Sequence, residues 1–258
     1  SYTEFSYMLL QAFDYWWLHT NMGCLLQIGG SDQWGNITAG VDLIRRREGA
    51  HVHALTWPLM TRADGQKFGK SVGGAVWLDP ELTLPYEFHQ HWLRTDDRDV
   101  GRFLLQLTLL TPDEITEMLR SHGAAPERRH AQQLLADELT ELVHGHAAVE
   151  QANLAAEAMF GTGDLSAEML GALRGIVPET LVRRQDLEGD GALVALLATT
   201  ELTSSKGEGR RLLSQGGVSV NRQKVSGGEL PAGSVIDGRY VLLQKGKKQR
   251  HLLVIDDH

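Results

Sequence analysis

Apolar residues recur nearly all the way round residues 3–18, with few breakers, and this predicts a helix. Residues 24–28, Cys-Leu-Leu-Gln-Ile, predict a short buried strand that ends in Gly29-Gly30. After Ser31-Asp32-Gln33 a helical pattern runs to about Arg47. A strand near residues 53–56 follows, then a loop over 61–74 rich in Gly and Lys, and 75–78 leads into Asp79-Pro80. Alternating strand and helix signals predict α/β architecture with a parallel sheet.

From Pro85 the period changes. Residues 85–93, 97–107, 112–121, 126–144 and 147–160 predict successive helices. Thr111-Pro112-Asp113-Glu114 supplies an N-cap, a proline at the first helical position and acids in the first turn. Residues 161–190 are polar, with one short apolar helix near 165–173, and read as a connector. Beyond Leu193 the pattern predicts two short helices, then strands near 218–220, 239–243 and 251–255. The expected division is 1–84, 85–160, 161–190 and 191–258.

Composition adds limits. The 258 residues are 42% hydrophobic and 22% charged, which suits a soluble globular chain. No apolar run approaches the roughly 20 residues that span a bilayer, and Ser1-Tyr2-Thr3-Glu4 lacks a signal peptide's basic start. A single cysteine, Cys24, excludes an internal disulfide or a multi-cysteine zinc site, so a cytoplasmic protein is expected. The pairs His51/His53, His89/His91 and His144/His146 lack companions at ligand spacing, and no metal site is expected. The net charge of −8 opposes non-specific nucleic-acid binding by the whole chain. That average hides a segregation: residues 202–251 hold ten Lys/Arg and three acids. Charge alone leaves two readings open, a polyanion-binding module or a solvated basic face.

Three stretches carry candidate chemistry. Tyr7, Gln11 and Asp14 stand at i, i+4 and i+7, on one helical face among apolar neighbours. Such a stripe either faces solvent or hydrogen-bonds a small polar ligand. The second stretch, Gln27-Ile28-Gly29-Gly30-Ser31-Asp32-Gln33, puts two glycines between a strand and a helix N-terminus. Glycine permits a sharp turn and close ligand approach, the helix end attracts anions, and Asp32 can accept from ribose hydroxyls. The third is the loop Asp64-Gly65-Gln66-Lys67-Phe68-Gly69-Lys70-Ser71, whose lysines can neutralise a departing pyrophosphate. It lacks the glycine spacing of a Walker loop.

Taken in this order, the three stretches resemble the bacterial tyrosyl-tRNA synthetases, a class I aminoacyl-tRNA synthetase family. Tyr7-Met8-Leu9-Leu10-Gln11-Ala12-Phe13-Asp14 is similar to that family's tyrosine-binding helix. The run from Gly29 through Gly40 is similar to its adenylate-binding signature, and Lys67-Phe68-Gly69-Lys70-Ser71 to its mobile loop. Val143-His144-Gly145 and the C-terminal module fit as well, so the resemblance covers essentially the whole chain. It implies that Asp14 accepts from the substrate phenol, that Tyr7 and Gln11 hold its ammonium, and that Gln27 lies beside it. Gly30 and Asp32 are implied at the ribose, Gln33 near the reacting carboxyl and phosphate, and the Leu59 and Met60 backbone at adenine. Lys67, Lys70 and Ser71 are implied in pyrophosphate departure. ATP with Mg2+ is then a substrate, tRNA(Tyr) and tyrosine are partners, and the parent is a homodimer with no membrane role.

The C-terminal segment resembles a small RNA-binding domain of a ribosomal small-subunit protein and of pseudouridine synthases. Ser204-Ser205-Lys206 opens a helix bearing Arg210 and Arg211, and residues 216–221 turn into a strand. The resemblance implies an RNA surface with Lys206, Arg210, Arg211, Lys245, Lys247 and Lys248. The implied fold is the C-terminal half of a Rossmann-like catalytic domain, an all-helical domain and a small α+β RNA-binding domain.

One departure stands out. The class I His-x-Gly-His motif is absent, and in the family it precedes the region matching Ser1. The expectation is an incomplete catalytic unit, inactive alone, whose first helix lacks some neighbours. Two rival functions remain at this point: a synthetase-derived protein that only binds RNA, and the tryptophan-specific relative, which Asp14 and the basic C-terminal module speak against.

Overall fold

The computed structural model describes residues 1–61, 63 and 76–256, and the chain forms two compact units, Ser1–Ala75 and Val76–His258. Unit one opens with α1 (Tyr2–Met22). Ser1 and Glu4 form a reciprocal capping box at its start, and Gly23 ends it in the left-handed region at φ 69°. The strand β1 (Leu26–Gly30), a 3-10 turn (Ser31–Gln33) and α2 (Trp34–Glu48) follow, then β2 (His53–Trp57). The two strands pair in parallel, from Leu26 with His53 to Gly30 with Trp57.

This shifts the expected strand at 24–28. The Cys24 N–H bonds back to Leu18 O and closes the end of α1, so the ladder begins only at Leu26. It then runs through both glycines rather than stopping before them.

One side chain fixes α1 against the rest of the unit. Tyr15 is fully buried with Ile44 and Val52, and its hydroxyl donates to His53 O at 2.8 Å. Burial pushes its phenol above the usual pKa. Its ring lies on Gly40 of α2, where a Cβ would come within 2.9 Å of the ring. Trp16 adds a hydrogen bond to Glu48 at 2.7 Å, and the Arg47 guanidinium stacks 4.0 Å from its ring centre. Much of the remaining apolar surface of α1, including Phe5, Leu9, Leu10 and Phe13, is exposed.

Unit two contains α3 (Pro85–Leu93), α4 (Asp97–Leu107), α5 (Pro112–Ala124), α6 (His130–His144), α7 (His146–Phe160) and α8 (Ala167–Gly171). The stretch expected as one helix over 126–144 is broken. A 3-10 turn (Pro126–Arg128) leads to Arg129 at φ 54°, and α6 starts after it. Arg129 donates to Leu93 O and Thr95 O, contacts that reward this left-handed conformation.

The region 161–190 is more than a connector. Its strand β3 (Glu179–Val182) joins a five-stranded sheet with β4 (Val218–Val220), β5 (Gln223–Val225), β6 (Tyr240–Lys245) and β7 (Gln249–Ile255). The order is β3-β7-β6-β4-β5, with β3 parallel to β7 and the other pairs antiparallel. Four residues pairing far along the chain give no local signal, and β5 is short and polar, so pattern reading missed both.

The apolar runs of β6 and β7 are buried on both faces. Val241, Leu243 and Leu253 pack with Leu193 and Leu197 of α9 (Ala192–Thr199) and Leu213 of α10 (Lys206–Ser214). Tyr240, Leu242, Leu252 and Val254 pack with Ala155 and Ala158 of α7 and Leu170 of α8.

Gly40→Ala should destabilise unit one by about 1–3 kcal/mol, because the added methyl has no room beside Tyr15. Denaturant unfolding followed by tryptophan fluorescence reads this directly, and an unshifted midpoint would show that the α1–α2 contact yields freely.

Candidate functional site

The helical spacing of Tyr7, Gln11 and Asp14 puts them on one side of α1, and that side borders a cavity of about 530 Å3. Leu10 completes the α1 wall, and Ile28 of β1 and Gln33 of the following turn form the other. Leu10 and Ile28 were not singled out by the sequence, although Leu10 stands three residues after Tyr7, on the same face. The cavity is open: Asp14 is exposed, Tyr7 is 57% exposed, and Gln11 is partly covered. The stripe is therefore neither sunk in a core nor on a featureless surface. It lines a concave surface that mixes an acid, an amide and a phenol with apolar side chains.

The turn after β1 is held by its own side chains. Asn36 donates to Gln33 Oε1 at 3.1 Å, and Gln33 donates to Asp32 Oδ2 at 3.3 Å. This chain leaves the other Asp32 carboxylate oxygen, Oδ1, facing the Gly30 backbone, where a Cβ would fall 2.7 Å from it. The same Cβ would also fall 2.9 Å from Leu59. Gly30 has φ −66°, a value open to any residue, and the groups that a Cβ would crowd are the ends of the Asp32 and Leu59 side chains, so the backbone conformation itself does not demand glycine here. That corrects the expectation of a sharp glycine turn.

Gly30 and Trp57 are partners at the carboxyl ends of the two strands. Asp32 and Gln33 follow one end; Leu59 and Met60 follow the other. Carboxyl ends of parallel strands are where open α/β sheets take ligands. Gln27, in the middle of β1, has a buried Oε1 with no hydrogen-bond partner among the described residues. Gln27 does not line the cavity with Tyr7 and Asp14. Lys67, Lys70 and Ser71 lie outside the described residues. Among the described residues no group of three or more His, Cys, Asp or Glu converges to hold a metal ion. No described helix is long and apolar enough to cross a membrane.

The basic C-terminal residues gather on α10 and on the β6–β7 turn. Lys206, Arg210, Arg211, Lys247 and Lys248 are exposed. Lys245 differs. Its ammonium donates to Leu202 O at 2.8 Å and to Glu208 Oε1 at 3.0 Å. Glu208 also accepts from the Ser204 N–H and hydroxyl, each at 2.7 Å. These bonds hold its carboxyl down at about 2, the Ser204 backbone first, then the Ser204 hydroxyl and Lys245. Lys245 thus clamps the hairpin to the start of α10, with the exposed lysines on either side of the clamp.

Residues 1–161 match the family described as tRNA synthetases class I (W and Y), and residues 175–253 match the tyrosine–tRNA ligase SYY-like C-terminal domain. The tyrosine–tRNA ligase of Roseiflexus castenholzii is 47% identical over 98% of this chain, and that of Streptomyces griseus is 50% identical over 96%. The chain spans 61% and 59% of the length of these two relatives. A C-terminally truncated mitochondrial tyrosyl-tRNA synthetase of Coccidioides posadasii superposes with a TM-score of 0.50 at 34% identity, covering 59% of this chain and 44% of that one.

The Glu208 clamp carries a pH signature. A carboxyl with a lowered pKa stabilises the fold above its ordinary range near 4.5, and that contribution is lost as pH falls towards about 2. Acid unfolding should show this loss in the wild type, and Glu208→Gln should remove it. The same acid dependence in both proteins would mean that the pair adds nothing.

Proposed function

The chain belongs to the class I tRNA synthetases of the W and Y group, and from this membership we propose that it serves as the tyrosine–tRNA ligase. The reaction is tyrosine plus ATP to tyrosyl-adenylate and pyrophosphate, then transfer of the tyrosyl group to the terminal ribose of tRNA(Tyr). The observation that carries the reading is the cavity that places Tyr7, Gln11 and Asp14 opposite Ile28 and Gln33.

Each assigned role is the one that the family resemblance implies, and the chemistry of each group is compatible with it. Asp14 accepts from the substrate phenol, a donor that phenylalanine lacks. Tyr7 and Gln11 offer oxygens to the ammonium. Gln27 is assigned a place beside the substrate by the resemblance; its buried amide oxygen, without a hydrogen-bond partner among the described residues, is free to accept, although its side chain does not itself line the cavity. The close approach at Gly30 and the Asp32 carboxylate serve the ribose, and the backbone at Leu59 and Met60 serves adenine.

Activation needs no side-chain nucleophile. The tyrosine carboxylate attacks the α-phosphorus, and the bond to pyrophosphate breaks in line. Gln33 stands near the reacting groups. Lys67, Lys70 and Ser71 neutralise the charge that grows on pyrophosphate. Mg2+ enters with ATP as part of the substrate. Residues 85–160 and 191–258 hold the tRNA, the latter through Lys206, Arg210, Arg211, Lys247 and Lys248, with Lys245 bracing the hairpin that carries two of them. The match of residues 175–253 to a tyrosine–tRNA ligase domain, together with Asp14, favours tyrosine over tryptophan. The active form is a homodimer in the cytoplasm.

Tyrosine-dependent exchange of pyrophosphate into ATP tests the reading, measured with this chain and with a version extended upstream. Exchange is expected in at least one; none in either would overturn it and leave an RNA-binding role. In the active form, Asp14→Ala should lower the preference for tyrosine over phenylalanine by about ten- to a hundredfold, the range for losing a hydrogen bond to a charged group. An unchanged ratio would show that another group reads the phenol.

A further inference from the structure

The helical part of unit two is acidic, yet its few cations are not evenly spread. Residues 85–160 contain six arginines, no lysine and thirteen acids. Three arginines are paired: Arg98 with Asp96, Arg102 with Asp99 and Arg120 with Glu117. The other three, Arg94, Arg128 and Arg129, make no ion pair with any described residue. All three line one cavity of about 440 Å3, with Leu93 and Gln133, and no carboxylate lines it.

The backbone builds this cluster. Arg94 is the C-cap of α3. Arg128 ends the 3-10 turn, and Arg129, at φ 54°, turns the chain into α6. Arg129 is anchored by its bonds to Leu93 O at 2.7 Å and Thr95 O at 3.2 Å, which fix its guanidinium at the rim. The start of α6 adds positive potential, since it has no capping side chain and no acid in its first turn. Like charges gathered without a counter-charge repel one another, in a region with acids to spare. A bound anion relieves that repulsion. Guanidinium groups suit phosphate oxygens, whereas the Gln133 amide, which already donates to Asp137 and Asn153, only lines the cavity.

We infer that this cavity holds a phosphate of the tRNA backbone, a contact separate from the basic surface on α10. The inference rests on the tRNA-binding reading above and assigns side chains to the helical region's share of it. Phosphate contacts set the position of an RNA without reading its sequence, so the site acts as an anchor point for the helical region.

The test uses the full chain and a bacterial tRNA(Tyr) transcript, with affinity measured across a range of salt. Arg129 is left alone because of its carbonyl bonds. Arg94→Gln with Arg128→Gln should weaken binding roughly tenfold near 0.1 M salt and flatten the salt dependence by about one to two in log–log slope. Arg94→Lys with Arg128→Lys keeps the charge and should keep most of the slope. Arg210→Ala with Arg211→Ala reports separately on α10. Wild-type affinity and slope in the Gln pair, with weakening in the α10 pair, would overturn this inference alone. A loss in the Lys pair equal to that in the Gln pair would also overturn it, since charge would not be the cause. If the wild type binds no tRNA, both this inference and the tRNA-binding reading fall.

Discussion

Tyr15 is the contact on which the cavity between α1 and β1 depends. It follows Asp14 on α1, about 100° further round the helix. Its hydroxyl is bonded to β2 and its ring is seated on Gly40 of α2, so α1 cannot turn about its axis without breaking both contacts. That fixed rotation keeps Tyr7, Gln11 and Asp14 facing Ile28 and Gln33. The hydrogen bond contributes only about 1 kcal/mol net, but losing it also strands a donor in a fully buried site. Gly40 is the second half of the constraint, since any side chain there would push α1 away from the sheet.

A comparable device organises unit two. Arg222 and Arg250 reach from the C-terminal sheet to the end of α7, where Arg222 donates to Glu157 O and Gly163 O and Arg250 to Met159 O. The last carbonyls of a helix lack internal partners and carry negative partial charge, so two guanidinium groups suit that end. Arg222 reaches it because Asn221 and Arg222, at φ 47° and 70°, form a tight two-residue turn between β4 and β5. The sheet is thereby tied to the helices and also packed on both faces. Basic residues in this module consequently do two jobs. Arg222, Lys245 and Arg250 brace the fold, while Lys206, Arg210, Arg211, Lys247 and Lys248 face solvent.

Sequence made much of this legible, and the reasons differ from place to place. Helices at 85–93 and 97–107 coincide with α3 and α4 because caps and a proline mark their ends. The Tyr7-Gln11-Asp14 face was readable because helical spacing alone determines it. The break at Arg129 was not, since a left-handed arginine there depends on the carbonyls of Leu93, the last residue of α3, and of Thr95 just beyond it, more than 30 residues away. Nor was β3, whose pairing with β7 spans about 70 residues. Lys245 looked like its neighbours in a run of lysines, and only its distance to Glu208 separates it from them. The three unpaired arginines are likewise ordinary in sequence and become a cluster only when α3 and the start of α6 come together.

The central claim is that the α1 face reads tyrosine. A crystal structure with tyrosine bound, of this chain or of its upstream-extended version, tests it most directly. The account predicts the phenolic oxygen within about 3 Å of the Asp14 carboxylate and the ammonium against Tyr7 and Gln11. Tyrosine bound with its phenol away from Asp14, or seated elsewhere than the α1–β1 cavity, would contradict it.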